Sequence, residues 1–340
     1  MKFKHDVYLT PKELAQISGI TVQGVHKFFK ERKISTIDEN GKHHKIYPDK
    51  ARLFFESRGF KYPKKTISVH NVKGGVGKTT TVFAFSTRLA ALGFKVLVVD
   101  LDQQGNTTNV LMCKRPQVGA FPTMQDVVAG FFKGNDIRCT DAIITDISQT
   151  IHLIPSSLLM TTFDGYLQSK SSLPPQVFNK HINSVRDNYD ILIYDCPPSL
   201  SRVSGAAHLN SDIILMPIEA DEFSVSGLDL NFEHLNVQEQ NYGHRLEKKI
   251  FINKFDSRPK VYMEIAELLM QSGYRKYLTD AVVRLSSIFT KAAASYTPIW
   301  SLGKEGGPAS EDYNKLLFEV FDLPENGWGV NKESTQEVSY

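Results

Sequence analysis

A glycine-rich segment between a short β-prone run and an amphipathic stretch constrains this 340-residue chain more than any other feature. Residues 66–71 read TISVHN, the segment follows directly, and a helical pattern from Thr79 to Leu92 ends at Gly93. Strand, glycine loop and helix form the setting in which backbone N–H groups converge on phosphate oxygens. The sequence therefore predicts a nucleotide-phosphate loop made of Lys73, Gly74, Gly75, Val76, Gly77, Lys78, Thr79 and Thr80.

Two side chains of this loop have the chemistry that a nucleoside triphosphate needs. Lys78 supplies a positive charge for the β- and γ-phosphates, and the Thr79 hydroxyl is placed to bind Mg²⁺. The loop departs from the pattern G-x-x-x-x-G-K-[ST], because Val72 stands where the first glycine would be and Lys73 adds a lysine. We expect ATP and Mg²⁺ as the ligands.

The chain beyond this loop alternates apolar strands with helical stretches. Further strands are predicted at 95–101, 190–195, 213–218 and 249–253. Helical stretches between them include 227–239 and 261–271. Continuous apolar strands fit a sheet buried on both faces, and the alternation is typical of βαβ units. We predict an α/β fold with a doubly wound, mostly parallel sheet.

The charge of the chain is unevenly divided. Residues 1–65 hold fifteen lysines and arginines against seven aspartates and glutamates, whereas the other 275 residues hold 25 against 30. A basic front on an acidic body suggests a polyanion-binding unit attached to a catalytic one. TPKE at 10–13 predicts a capped helix, Thr21 caps a second helix to about Glu31, and Asn40-Gly41 predicts a β-hairpin.

With a third helix at 50–58, capped by Asp49, this order resembles the winged helix-turn-helix of MerR-type regulators. The resemblance implies DNA contacts from polar side chains of the second helix and of the hairpin. These side chains are Gln23, His26, Lys27, Lys30, Lys42 and Lys45. The alternative is a small helical protein-interaction domain.

From residue 66 onward the chain resembles the deviant-Walker ATPases of the partition-protein (ParA, Soj) and septum-site (MinD) group. The resemblance rests on KGGVGKTT at 73–80, DLDQQGN at 100–106 and the strand DILIYD at 190–195. It implies that Lys73 reaches the phosphates of the partner subunit in an ATP-bound homodimer. It also implies that Asp102 orients the attacking water, so that catalysis depends on Asp102, Lys73 and Lys78.

The resemblance assigns roles to three further polar residues. Asp195 would hold a water on Mg²⁺ and Asp100 would brace the metal site, the alternative being that both aspartates only cap loops. Asn253 would lie near the adenine, the alternative being an asparagine that only shapes a turn.

The function implied by the resemblance is ATP-driven partition of plasmids or chromosomes, with slow hydrolysis that a ParB-class centromere-binding protein stimulates. The ATP-bound dimer would bind DNA phosphates non-specifically through Arg284 and Lys291. The alternative is that these two residues are ordinary solvated charges. The front domain would add operator binding. Two alternatives are a transcriptional regulator whose DNA binding is tuned by nucleotide and a metabolic ATPase of the same fold.

The predicted domains are a DNA-binding domain at 1–58, a linker at 59–65, the ATPase domain at 66–325 and a disordered tail at 326–340. We expect a cytoplasmic protein, because the three cysteines are scattered and the sequence shows neither a secretory signal nor an apolar run of bilayer length. DNA binding would associate it with the nucleoid. The polar tail lacks the basic amphipathic helix by which septum-site relatives bind membranes. We therefore expect no membrane partner.

Overall fold

A computed structural model describes residues 4–37, 44–135, 137–169, 174–243, 245–258 and 260–328. In this part of the chain six strands form one parallel sheet: β1 Lys65–Val69, β2 Val96–Asp100, β3 Ile151–Ile154, β4 Ile191–Asp195, β5 Ile213–Ile218 and β6 Glu247–Ile252. Their spatial order is β3-β2-β4-β1-β5-β6. The predicted doubly wound α/β sheet is confirmed, and β3 is an additional edge strand that the sequence pattern missed.

Helices cover both faces of the sheet and form most of the front of the chain. The α-helices are α1 Pro11–Ser18, α2 Val22–Glu31, α3 Pro48–Ser57, α4 Lys78–Ala91, α5 Asn106–Met112, α6 Met124–Lys133, α7 Phe163–Ser169, α8 Pro174–Arg186, α9 Arg202–His208, α10 Glu222–Tyr242, α11 Lys260–Gln271, α12 Ile288–Ala294 and α13 Gly307–Val320. None of the helices that the structure describes has the length and apolar character needed to cross a bilayer.

The register of the central strands brings the ends of β1, β2 and β4 together. Every residue of β2, β4 and β5 is buried, as expected for strands covered by helices on both faces. Asp195, the last residue of β4, is paired with Val69 of β1 on one side and with Asp100 of β2 on the other. The topology reverses beside β1, which is where sheets of this kind bind ligands.

The front of the chain follows the predicted helical pattern closely. In the capping box of α1 the Thr10 N–H donates to Glu13 Oε2 at 2.9 Å and the Glu13 N–H donates to Thr10 Oγ1 at 3.2 Å. Thr21 caps α2 as predicted. The third helix begins at Pro48, so Asp49 lies in its first turn and the predicted Asp49 cap is wrong. Pro48 needs no N–H donor at this position.

We call residues 1–58 the front unit and the chain from residue 66 onward the ATPase body. The predicted hairpin of the front unit is described only at its base. Ile37 forms an antiparallel bridge with His44, and the Lys45 N–H donates to Thr36 O at 2.7 Å. These contacts agree with a hairpin. The predicted turn at Asn40-Gly41 and the predicted DNA contact Lys42 lie outside the described residues.

One hydrophobic core spans the boundary that the charge pattern suggests. It contains Leu14 and Phe54 of the front helices together with Phe85 of α4 and Leu316 of α13. Separate clusters fill the space under α6, α8 and α9 and under α10 and α11. The basic front and the acidic body are therefore packed against each other although their charge compositions differ.

Two segments that appear featureless in the sequence are part of this core. In the predicted linker, Phe60 stacks on Trp328 with ring centroids 4.3 Å apart, and the Tyr62 hydroxyl donates to Leu92 O at 2.9 Å. Trp328 is completely buried. The expectation of disorder from residue 326 onward is therefore wrong as far as Trp328, because a single large aromatic ring anchors this otherwise polar segment. Residues 329–340 lie outside the described part of the chain.

Candidate functional site

The phosphate loop lies between β1 and α4, with its backbone open toward the carboxyl ends of the strands. Gly77 caps α4 at φ 98°, and a Cβ built there would lie 2.1 Å from Nδ2 of Asn253. Both the conformation and the close approach therefore require glycine. Among the described residues, apart from its two chain neighbours, no atom lies within 4 Å of a Cβ built at Gly74, so this side of the loop is accessible. Thr79 and Thr80 follow in the first turn of α4, whose N-terminus favours an anion.

Lys78 is the buried cation of this loop. Its ammonium group donates to Asn71 O at 3.1 Å and to Lys73 O at 3.0 Å, and the residue is only 7% exposed. Burial lowers the pKa of Lys78, while the carboxylates of Asp195 and Asp102 act in the opposite direction. The loop therefore holds a partly desolvated positive charge, which an incoming phosphate would stabilise.

Asp195 presents one free carboxylate oxygen at the end of β4. Its Oδ2 accepts hydrogen bonds from Thr79 Oγ1 at 2.9 Å and from Thr107 Oγ1 at 2.6 Å. Its Oδ1 is buried and has no hydrogen-bond partner among the described residues. Burial raises the pKa of Asp195. Mg²⁺ prefers hard oxygen ligands and takes few from the protein, so Thr79 and Asp195 fit the predicted metal site.

Asp100 accepts hydrogen bonds from the segment that follows β2. Its Oδ2 accepts the Thr108 N–H at 2.8 Å and the Thr108 hydroxyl at 2.7 Å, and its Oδ1 accepts the Asp102 N–H at 3.2 Å. Burial, followed by the charge of Asp195, raises the pKa of Asp100. Because both oxygens accept hydrogen bonds within the chain, Asp100 braces the loop that carries Asp102, and its predicted bracing of the metal site stays a prediction.

Asp102 lies on the loop that Asp100 braces, near Lys78 of the phosphate loop. It is 8% exposed, and its Oδ1 accepts the Gln104 N–H at 2.9 Å. It is close enough to Lys78 for its charge to influence the pKa of that lysine. The structure thus brings together Lys78, Thr79, Asp102 and Asp195, which are scattered over more than a hundred residues of sequence.

Lys73 is held by acidic residues of its own chain. Its ammonium group contacts the carboxylate of Asp221, lies 3.8 Å from Glu219 Oε2 and donates to Ser224 Oγ at 3.4 Å. Asp221 also caps α10, because its Oδ1 accepts the Ser224 N–H at 2.7 Å. In this state Lys73 is thus neutralised within one subunit.

Three residues of this charged network have no role assigned to them from the sequence. Glu219 and Asp221 follow the buried strand β5, and Lys254 follows β6. The Lys254 ammonium group donates to Gly75 O at 2.6 Å and to Glu219 Oε1 at 2.8 Å. Polar residues directly after buried parallel strands lie at the ligand-binding edge of a sheet, and this was the signal available in the sequence.

Asn253 supports the phosphate loop from behind. Its Nδ2 donates to Val76 O at 2.7 Å, and the residue is 3% exposed. The predicted contact with adenine stays a prediction, whereas the observed contact fixes the loop at the position where Gly77 leaves room for the amide.

The predicted DNA contacts of the front unit differ in their accessibility. Gln23, Lys27 and Lys30 are exposed on α2, and His26 is half-buried with its ring 4.5 Å from that of His44. The Lys45 ammonium group donates to Asp6 Oδ2 at 2.5 Å and lies over the ring of Tyr8. Lys45 is thus engaged within the front unit, which its place in a basic hairpin did not indicate.

The two predicted DNA contacts of the body are also unequal. The Arg284 guanidinium makes a bidentate ion pair with Asp312, with Nη2 2.7 Å from Oδ1 and Nε 2.9 Å from Oδ2. This pair ties the segment after β6 to α13, while the Arg284 side chain remains 56% exposed, so its predicted phosphate contact stays a prediction. Lys291 lies exposed on α12.

Comparisons with known proteins agree with this fold. The family model described as "AAA domain" matches residues 64–248. The chain is 29% identical over 231 residues to the cell division protein PomZ of Myxococcus xanthus, covering 68% of this chain and 70% of that protein. It is 28% identical over 222 residues to the sporulation initiation inhibitor protein Soj of Bacillus subtilis, covering 65% and 82%. The structure of a Cyanothece McdA(D38A)–ATP complex has a TM-score of 0.68 at 20% identity and covers 78% of this chain and 98% of that one, which shows the shared fold.

Proposed function

We propose that this chain, which belongs to the AAA domain family and to its ParA/MinD-type partition ATPases, hydrolyses ATP and uses that cycle to partition DNA. The observation that carries the proposal is the convergence of Lys78, Thr79, Asp102 and Asp195 at adjacent strand ends. Lys78 supplies a positive charge, Thr79 and Asp195 supply a hydroxyl and a carboxylate oxygen, and Asp102 supplies a second carboxylate. These are the groups that phosphoryl transfer requires.

Each of these side chains has a task in the proposed reaction. Lys78 and the N-terminus of α4 stabilise negative charge on the transferred phosphoryl group. Asp102 orients the attacking water, and Asp100 fixes the loop that carries Asp102. A Mg²⁺ ion held by Thr79 and Asp195 would neutralise phosphate charge. The protein contributes mainly position and electrostatics.

Lys73 links the nucleotide to assembly in this proposal. To reach the phosphates of a partner subunit, it must leave Asp221 and Glu219 of its own chain. The γ-phosphate supplies the charge that makes this exchange favourable, so ATP shifts the population toward the dimer. The dimer binds DNA, with Lys291 as a phosphate contact and α2 as an operator reader. A ParB-class protein stimulates hydrolysis, and the cycle takes place on the nucleoid in the cytoplasm.

Replacing Asp102 with alanine is expected to separate ATP binding from hydrolysis. We expect ATP affinity to remain within about threefold and phosphate release to fall about 100-fold, because only the orientation of water is lost. Dimers bound to DNA should then accumulate. Phosphate release, together with gel filtration and DNA binding in ATP, ADP and no nucleotide at two salt concentrations, measures these effects.

Asp187, whose side chain is 93% exposed, provides the control variant Asp187→Ala, which should behave like the unmodified protein. Normal hydrolysis by Asp102→Ala would remove Asp102 from the reaction. A protein that stays monomeric in ATP would contradict the proposed cycle as a whole.

Asp221→Asn is expected to promote the ATP-dependent dimer. Asparagine still accepts the Ser224 N–H and keeps the cap of α10, but the negative charge beside Lys73 is lost. We expect the dimer in ATP to form at about fivefold lower protein concentration, since each of the two partly exposed ion pairs released per dimer contributes about 0.5 kcal/mol. Analytical ultracentrifugation measures the shift, with Asp256→Asn, which loses the Arg258 pair, as the control. Weaker dimerisation would show that Asp221 supports the active position of Lys73.

A further inference from the structure

We propose that the front unit and the ATPase body move as one rigid piece, so that a nucleotide-closed pair of chains holds its two α2 helices at a fixed separation. The DNA partner is then a duplex with two half-sites at one spacing. The inference rests on the proposed function, in which α2 reads DNA and ATP closes a homodimer. Three attachments between the front unit and the body carry it.

The first attachment joins α1 to the helix that begins at the phosphate loop. Arg88, near the end of α4, is 2% exposed and places Nη1 2.7 Å from Glu13 Oε1. Its Nε donates to Asn314 Oδ1 at 2.8 Å, and its guanidinium lies over the Trp300 ring. The other oxygen of Glu13 caps α1. A charge-assisted bond between a buried guanidinium and a carboxylate that is 35% exposed therefore connects the front unit directly to α4.

The second attachment holds α3 against the turn after α4 and the start of β4. Arg52 Nη1 donates to Asp190 Oδ2 at 2.6 Å and to Gly93 O at 3.1 Å. Asp190 also accepts the Lys95 N–H at 2.7 Å. A Cβ at Gly93 would lie 2.8 Å from the Arg52 N atom, so the two backbones pack directly against each other.

The third attachment is the ring of Trp328, which closes the joint from the far end of the chain. It stacks on Phe60 and packs against Phe55 of α3, with centroids 4.3 Å and 4.9 Å away. Its backbone N–H donates to Ile17 O in α1 at 3.2 Å. Trp328 thus contacts the front unit on two of its helices.

These attachments fix the orientation of α2 relative to the ATP site. α2 packs on α1, and both share one core with α4. In a dimer with twofold symmetry, the geometry of the dimer fixes the distance between the two α2 helices. The spacing between the two DNA half-sites must match that distance. A unit on a flexible linker would accept many spacings.

The test selects duplexes from a library randomised over 40 base pairs, using the full chain with a non-hydrolysable ATP analogue. We expect one motif to recur twice at a single spacing, preferred at least about tenfold over spacers one base pair longer or shorter. In Trp328→Ala, which loosens the joint, the same motif should recur with less than about threefold spacing preference. Glu13→Gln, which keeps the α1 cap, is a milder version, and Lys64→Gln, which breaks an exposed ion pair to the body, is the control.

The outcomes separate the two proposals. A motif without preferred spacing in the unmodified protein, or strict spacing retained by both joint variants, would overturn the rigid joint while leaving DNA reading intact. If Trp328→Ala does not fold, the spacing preference of Glu13→Gln decides. The absence of any motif in every nucleotide state would remove DNA reading by α2, and the inference with it.

Discussion

Replacing Lys78 with alanine should abolish measurable ATP binding. The lysine is buried beside the phosphate loop, where its charge is partly desolvated and its pKa is lowered. Phosphate oxygens arriving there would otherwise face the carboxylates of Asp195 and Asp102 without compensation. Losing one partner of a buried charge interaction costs about 3–5 kcal/mol, which corresponds to a loss of affinity of more than about 100-fold. Titration calorimetry with ATP and Mg²⁺ measures the change.

The same substitution tests whether Lys78 also stabilises the conformation of the phosphate loop. Its ammonium group bonds Asn71 O and Lys73 O, so alanine leaves these two carbonyls without that donor. The cost of keeping a charge buried is removed at the same time, and we expect the melting temperature to change by only a few degrees. Lys64→Ala, at an exposed lysine, should leave both affinity and stability unchanged. Undiminished ATP affinity in Lys78→Ala would refute the assignment of the phosphate loop.

The central strands were predictable because burial on both faces leaves a continuous apolar run. VLVVD at 96–100 and ILIYD at 191–195 are such runs, each ending in the aspartate that reaches the site. β3 at Ile151–Ile154 was missed because it is short and contains His152, whose Nδ1 shares a hydrogen bond with Tyr189. A polar residue whose hydrogen-bond partner lies far away in the sequence interrupts the apolar run. The local sequence pattern therefore does not indicate this edge strand.

The site was predictable where its residues are contiguous and less so where the fold assembles them. Lys78 and Thr79 stand in one motif with the correct neighbours. The neutralisation of Lys73 by Asp221 and Glu219 joins segments about 150 residues apart, so only the strand order places them together. The ion pair of Arg284 with Asp312 was likewise not predictable, because the two residues lie 28 positions apart and only the fold brings them together.

The domain boundary shows what composition can and cannot indicate. The charge difference between residues 1–65 and the rest is a property of the surface. Phe60 and Trp328, by contrast, are single aromatic residues in polar segments, and they determine how the two parts meet. Surface charge therefore indicates possible partners for each part but carries no information on whether the two parts share a core.

Deleting residues 1–58 is consequently expected to destabilise the ATPase body. From the sequence alone we expect this deletion to remove operator binding and to spare hydrolysis. The structure changes that expectation, since the deletion removes Glu13, the ion-pair partner of Arg88, and uncovers Phe60 and Trp328. Each uncovered large apolar side chain costs about 1.5–3 kcal/mol, and the lost ion pair adds to that cost. A typical domain is stable by only about 5–15 kcal/mol, so the remaining chain should unfold or aggregate at moderate temperature.

Differential scanning calorimetry and ATPase assays on residues 59–340 measure this effect, with the full chain carrying Glu13→Gln as the reference for the ion pair alone. That variant should lose part of the stability and keep its cooperative transition, because the apolar contacts of the joint remain. A truncated chain that melts near the full-length temperature and hydrolyses ATP at the full rate would show that the shared core contributes little. In that case the front unit would be attached to the ATPase body without stabilising it. The proposed rigid joint between α2 and the ATPase body would then lose its physical basis.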